Sequence, residues 1–232
     1  MINKPDRPVK TTNKSYTVED KTYASRWSVG LFQILAAILG ILLYSLLSHA
    51  NLVILLPTGT LDVFLPGLLI PLLFGAIFGP WVGFMVGCFG FLIGDYIANM
   101  WFQGWYWDNG YLYLGSALIN FRDLIGWNGI PGYIANALFG FCAGLALPMP
   151  YRRYDSAYYY ARAGILSSIG LVIGIALVVF SAVWIYRSPY YTIPEASTAY
   201  FDTLLPDLLL ALIVLPLLLF IYNALLPHKK SA

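Results

Sequence analysis

Six long apolar stretches dominate this sequence: Trp27 to Ser48, Val63 to Gly79, Trp81 to Met100, Ile130 to Leu147, Ala163 to Tyr186 and Leu204 to Leu226, each 17 to 24 residues. A hydrocarbon layer about 30 Å thick is crossed by about 20 helical residues rising 1.5 Å apiece, and only a helix or a closed barrel satisfies its own backbone in lipid. The expectation is an all-α integral membrane protein with six transmembrane helices. Of the 232 residues 59% are apolar and 10% charged, against about a quarter charged in a soluble domain. Residues 1–26 then form a polar tail, 27–226 a membrane domain and 227–232 a second tail, with no room for a separate soluble domain.

Gly79-Pro80 divides the second stretch from the third, because proline cannot donate to the preceding turn and disfavours helix in the residue before it. The link must be a tight hairpin. Ser48-His49-Ala50 has the look of a signal-peptide cleavage site. The run before it is 22 residues, longer than the usual 7 to 15 of a signal core, so an uncleaved helix is expected.

Lysine and arginine set the orientation. The N-terminal tail holds Lys4, Arg7, Lys10, Lys14, Lys21 and Arg26; the connection after helix 4 holds Arg152, Arg153 and Arg162; Lys229 and Lys230 close the chain. Only Arg122 and Arg187 fall on the other side. The positive-inside rule puts both the N-terminus and the C-terminus in the cytoplasm.

Three segments then face outward: 49–62, 101–129 and 187–203. The middle one sets Trp101, Trp105, Tyr106, Trp107, Tyr111, Tyr113 and Trp127 among Asp108, Asn109, Asn120, Arg122, Asp123 and Asn128. Flat apolar faces supply contact area and a few polar groups fix orientation, which is what a pocket for a small ring compound needs. An interfacial aromatic belt, or a re-entrant lid that touches only lipid headgroups, is the equal alternative. On this side and its adjoining helix ends Asp62, Asp95, Asp108, Asp123, Glu195, Asp202 and Asp207 stand against two arginines. That field favours a neutral or cationic solute. Asp95, inside an apolar run, is a candidate contact because ionisable residues within membrane helices mark functional sites. A bond from a tyrosine or from backbone near the helix end is its structural alternative.

Helix 3 carries Gly83, Gly87, Gly90 and Gly94 along one stripe, made for close approach of backbones, against helix 2 with Gly75 and Gly79 or helix 4 with Gly140 and Gly144. Ala36 and Gly40 form a small pair on helix 1, suited to an internal seam or to a partner. Cys88 and Cys142 match no metal or redox spacing and are read as small hydrophobes. There is no P-loop and no His-Glu-x-x-His motif, and His49 and His228 are the only histidines. Neither catalysis, metal, cofactor nor nucleic-acid binding is expected.

The stretch from Phe64 to Asp95, with the hairpin Phe74-Gly-Ala-Ile-Phe-Gly-Pro-Trp-Val-Gly-Phe84, resembles the membrane-embedded S components of energy-coupling factor vitamin transporters. Gly129-Ile-Pro-Gly-Tyr-Ile-Ala-Asn-Ala-Leu-Phe-Gly140 is similar to the fourth helix of that family. The likeness covers roughly Trp27 to Leu226. It implies a substrate-capturing subunit in the plasma membrane of a prokaryote, binding a vitamin or vitamin precursor from outside. A transmembrane coupling subunit and two cytoplasmic ATPases would be its partners, and the absent P-loop agrees with that division. The resemblance further implies that Ala36 and Gly40 contact the coupling subunit, although glycine stands second where the family has alanine. It also implies a pocket near the outer ends of helices 4 to 6 and the adjoining connections. A membrane scaffold or a stand-alone secondary transporter are the alternatives.

Overall fold

The computed structural model describes residues 30–48, 52–55, 61–64, 66–101, 105–108, 111–114, 129–146, 156–184 and 192–225. These residues form six helices and two short β-hairpins. The helices are α1 (Leu31–Leu47), α2 (Leu69–Phe78, entered through a 3-10 turn at Pro66–Leu68), α3 (Pro80–Trp101), α4 (Ile130–Gly144), α5 (Ala157–Trp184) and α6 (Ile193–Leu225). The chain is an all-α multi-pass membrane protein, in which α3, α5 and α6 are long and apolar enough to cross a bilayer. Both tails, and with them the orientation expected from charge, lie outside the described residues.

Side chains are distributed as lipid dictates. On α1, Gln33, Ala36, Gly40 and Tyr44 turn inward at helical spacing, while Leu31, Phe32, Leu35, Leu39, Leu42 and Leu46 are exposed. The small and polar residues are inside and the large apolar ones outside, the reverse of a soluble helix.

Several boundaries differ from the hydropathy reading. Val63 and Phe64, expected at the start of helix 2, belong instead to β2 (Leu61–Phe64), which pairs antiparallel with β1 (Leu52–Leu55) in the register Leu52 to Phe64 and Leu55 to Leu61. Pro66 disfavours helix in the residue before it, and β-branched Val53, Ile54 and Val63 suit an extended pair. Helix α5 begins at Ala157, six residues early, and α6 at Ile193, eleven residues early. Polar and aromatic residues there lower hydropathy without opposing helix. Glu195 accepts from Thr192 N at 2.7 Å and Thr192 Oγ1 at 2.9 Å, and Pro194 lies in the first turn, so the helix is started well before its apolar part. Residues 193–203, expected as an outward connection, are therefore helical. At 28 and 33 residues these helices measure about 42 and 50 Å, and extend past a 30 Å hydrocarbon layer.

Within α6, Pro206 has no N–H to give the carbonyl of Asp202, and a π turn follows at Leu210–Val214. Gly79 joins α2 to α3 at φ 110° and ψ 171°, a conformation essentially confined to glycine. The hairpin expected there is as tight as the sequence demanded.

Glycines fix the packing. A Cβ on Gly83 would meet the Gly140 carbonyl, one on Gly75 the same carbonyl from α2, and one on Gly87 the Asn136 carbonyl. The stripe on α3 then changes partner, since Gly90 abuts Tyr44 and Gly94 abuts Ser48, both near the end of α1. Thus α3 lies between α1 and α4, α4 between α3 and α5, and α5 against α6, with α2 inside, touching α1, α3, α4 and the C-terminal half of α6. Ala36 is buried, and a Cβ on Gly40 would meet Phe74 and Val86. Of the two roles open to that pair, the fold occupies the internal seam. At the Gly79 end Arg162 donates to the carbonyl of Leu145 at 3.1 Å and closes the last turn of α4.

Candidate functional site

The site grows from a difference in packing along α6. Its first half, Ile193–Leu209, has α5 and β2 as its main backbone neighbours, whereas α2 is met from the π turn onward. At this level Asp207 of α6 and Tyr44 of α1 are both buried in the bundle.

Tyr44 on α1 is 1% exposed and donates its hydroxyl to Asn136 Oδ1 on α4. Asn136, also buried, donates Nδ2 to the Gly132 carbonyl one turn back at 2.9 Å. Asp207 of α6, 1% exposed, lies within electrostatic reach of Tyr44. The Tyr44 ring stacks on Phe91 of α3 with centroids 6.3 Å apart, and Phe91 meets Tyr133 of α4 edge-on at 6.0 Å. Tyr133 in turn donates its hydroxyl to Asp95 Oδ2 at 3.2 Å. A run of aromatic faces thus links two buried carboxylates.

Chemically this is a buried cluster of hydrogen-bonding groups framed by rings, rich in acceptors, with one further N–H on Asn136 Nδ2. Each carboxylate only accepts when ionised, and the two tyrosine protons are directed at Asn136 and Asp95. Among the described residues no three His, Cys, Asp or Glu side chains gather closely enough to hold a metal ion. Cys88 and Cys142 are free and half-buried in α3 and α4.

The candidates read from sequence distribute unevenly. Asp95 is 8% exposed and takes the tyrosine bond that was one of its two expected roles. Trp105, Tyr106, Trp107 and Asp108 form β3 (Trp105–Asp108), paired antiparallel with β4 (Tyr111–Leu114) so that Tyr106 opposes Tyr113 and Asp108 opposes Tyr111. Asn109, Asn120, Arg122, Asp123, Trp127 and Asn128 lie outside the described residues.

Tyr44, Tyr133, Asn136 and Asp207 were missed as site residues. Asn136 carried a signal, an amide in the middle of an apolar run. Hydropathy alone starts α6 at Leu204 and puts Asp207 among the helix-end acids; with the helix starting at Ile193 it falls inside the bundle. Compared with known proteins, the chain matches no family profile, no curated sequence and no solved structure.

Proposed function

We propose that this protein captures a small, ring-containing, neutral or cationic solute in the membrane, as an S component of the energy-coupling factor kind. The supporting observation is the convergence of Asp95, Tyr133, Tyr44, Asn136 and Asp207, buried or half-buried side chains from four helices of the bundle. Buried ionisable groups in membrane helices mark ligand or ion pathways, and ring faces beside a few polar atoms suit a small cyclic solute.

In this reading the hairpin end faces outward and the Trp105 to Asp108 strand lies at the entrance. The chain, lacking a P-loop, depends on a coupling subunit and two ATPases for work. Ala36 is buried, and a partner reaching Gly40 would first have to part α1 from Phe74 of α2 and Val86 of α3.

Purification from its own membranes tests the reading. Native mass spectrometry is expected to find a bound small molecule, with ATPase subunits co-purifying. Alanine at Trp105, Trp107 and Asp108 should abolish uptake at unchanged membrane levels. No bound solute, no binding across a vitamin panel and no ATPase would sink it. A stand-alone secondary transporter is the second reading, favoured by the Pro206 and π-turn interruption beside Asp207; it predicts uptake into vesicles without ATP or partner subunits.

A further inference from the structure

We infer that two aromatic clasps between α5 and α6 set the height of the protein in its membrane, each meeting the glycerol and headgroup layer of one phospholipid leaflet. These rings lie on the lipid side of the helices and do not depend on capture of a solute.

The clasps act as a ruler. At the Gly79 end Tyr160 of α5 meets Phe220 of α6 edge-on with centroids 6.3 Å apart, and at the hairpin end Phe180 of α5 meets Tyr200 of α6 at 6.0 Å. From Tyr160 to Phe180, and from Tyr200 to Phe220, is 20 positions, about 30 Å of helix and the thickness of the hydrocarbon core. Two further rings give a second interval. Tyr158, 66% exposed, lies two positions outside one clasp, and Trp184, 70% exposed and stacked on Phe180 at 5.5 Å, lies four outside the other. The helix between them measures about 39 Å, close to the full layer with its headgroups, where tyrosine and tryptophan concentrate. Packing of α5 on α6 accounts for each ring contact; it does not account for their distance apart, or for Tyr158 and Trp184 standing exposed beyond them.

Charge follows the same levels. Between the clasps α5 carries only Arg162, and α6 only Asp202 and the buried Asp207. Arg162 and Asp202 each lie two positions inside a clasp, on helices whose side chains lean toward their own N-termini, a direction that for both leads out of the core. Tyr200 donates its hydroxyl to the Val172 carbonyl at 3.3 Å, so its ring meets the edge of the core with the polar tip already satisfied. Beyond it the first turns of α6, with exposed Glu195 and Thr198, extend about 10 Å into the headgroup layer. Gly170 and Leu210 fall midway between the clasps, and the π turn begins at Leu210.

Spin-label accessibility tests the register on the full chain in dioleoyl phosphatidylcholine vesicles. On a Cys88→Ala, Cys142→Ala background, labels are attached one at a time at exposed positions of α5 through Tyr158→Cys, Ile165→Cys, Ile169→Cys, Ile173→Cys, Leu177→Cys and Trp184→Cys. Relaxation by oxygen relative to a water-soluble nickel chelate is expected to peak at position 169 or 173 and to reverse at 158 and 184, where the chelate dominates. A peak at 165 or 177, a flat profile, or oxygen dominating at 158 or 184 overturns the register. A second measurement needs no variant. Across phosphatidylcholines of graded chain length, the thermal midpoint of the wild-type chain is expected to be highest where the hydrocarbon core is about 30 Å thick. An optimum displaced from that by about 6 Å, four residues of helix, overturns it as well.

Discussion

The Tyr44 hydroxyl of α1 donates to Asn136 Oδ1 of α4 across 92 positions of sequence, with both side chains buried in the bundle. This one bond ties the first helix to the fourth at the level where α3 passes between them. Tyr44→Phe strands the amide oxygen and is expected to lower stability by about 1 to 2 kcal/mol. A double-mutant cycle with Asn136→Ala should give a coupling near 0.6 kcal/mol and below about 2 kcal/mol, the range of interhelical bonds in membranes. Reversible unfolding in mixed micelles measures both.

Gly83 and Gly140 approach backbone to backbone, so a side chain at either meets a carbonyl that cannot move without separating α3 from α4. Gly83→Val or Gly140→Val should therefore abolish the monodisperse peak in detergent chromatography. Gly164 is the control. Its nearest neighbour to a new Cβ is the Ala211 carbonyl at 3.2 Å, and Gly164→Ala is expected to change stability by no more than about 1 kcal/mol.

Gly79 adopts a backbone conformation that side-chain-bearing residues avoid. Gly79→Ala should cost about 1 to 3 kcal/mol and lower the thermal midpoint in detergent. An unchanged midpoint would mean that the α2 to α3 connection can be made another way.

Orientation can be read without a ligand. In a chain with its native cysteines replaced, a membrane-impermeant thiol reagent applied to whole cells is expected to label Gly110→Cys and to leave Asp155→Cys untouched until the membrane is opened. The opposite pattern would put the tryptophan-rich hairpin in the cytoplasm and end the capture reading.

Much of this architecture is written in local pattern. Apolar length calls for helices because lipid leaves the backbone no other partner, and all six stretches contain one. Gly79-Pro80 announces its hairpin, and the spacing of Gly83, Gly87, Gly90 and Gly94 announces a seam, since both follow from the absence of a Cβ or an N–H at a known position. Helix ends were less legible: Ser, Thr, Tyr and Glu at the starts of α5 and α6 lower hydropathy while remaining compatible with helix.

The partners of those patterns are another matter. That the glycine stripe serves α4 through Gly83 and Gly87 but α1 through Gly90 and Gly94, and that Gly40 faces Phe74 of α2 and Val86 of α3, depends on crossing geometry between distant segments. The same holds for Asp95 beneath Tyr133 and Asp207 opposite Tyr44. Periodicity assigns a residue to a face of its own helix; only the packed bundle decides which helix that face meets, because contact between helices depends on the shapes of both surfaces at once.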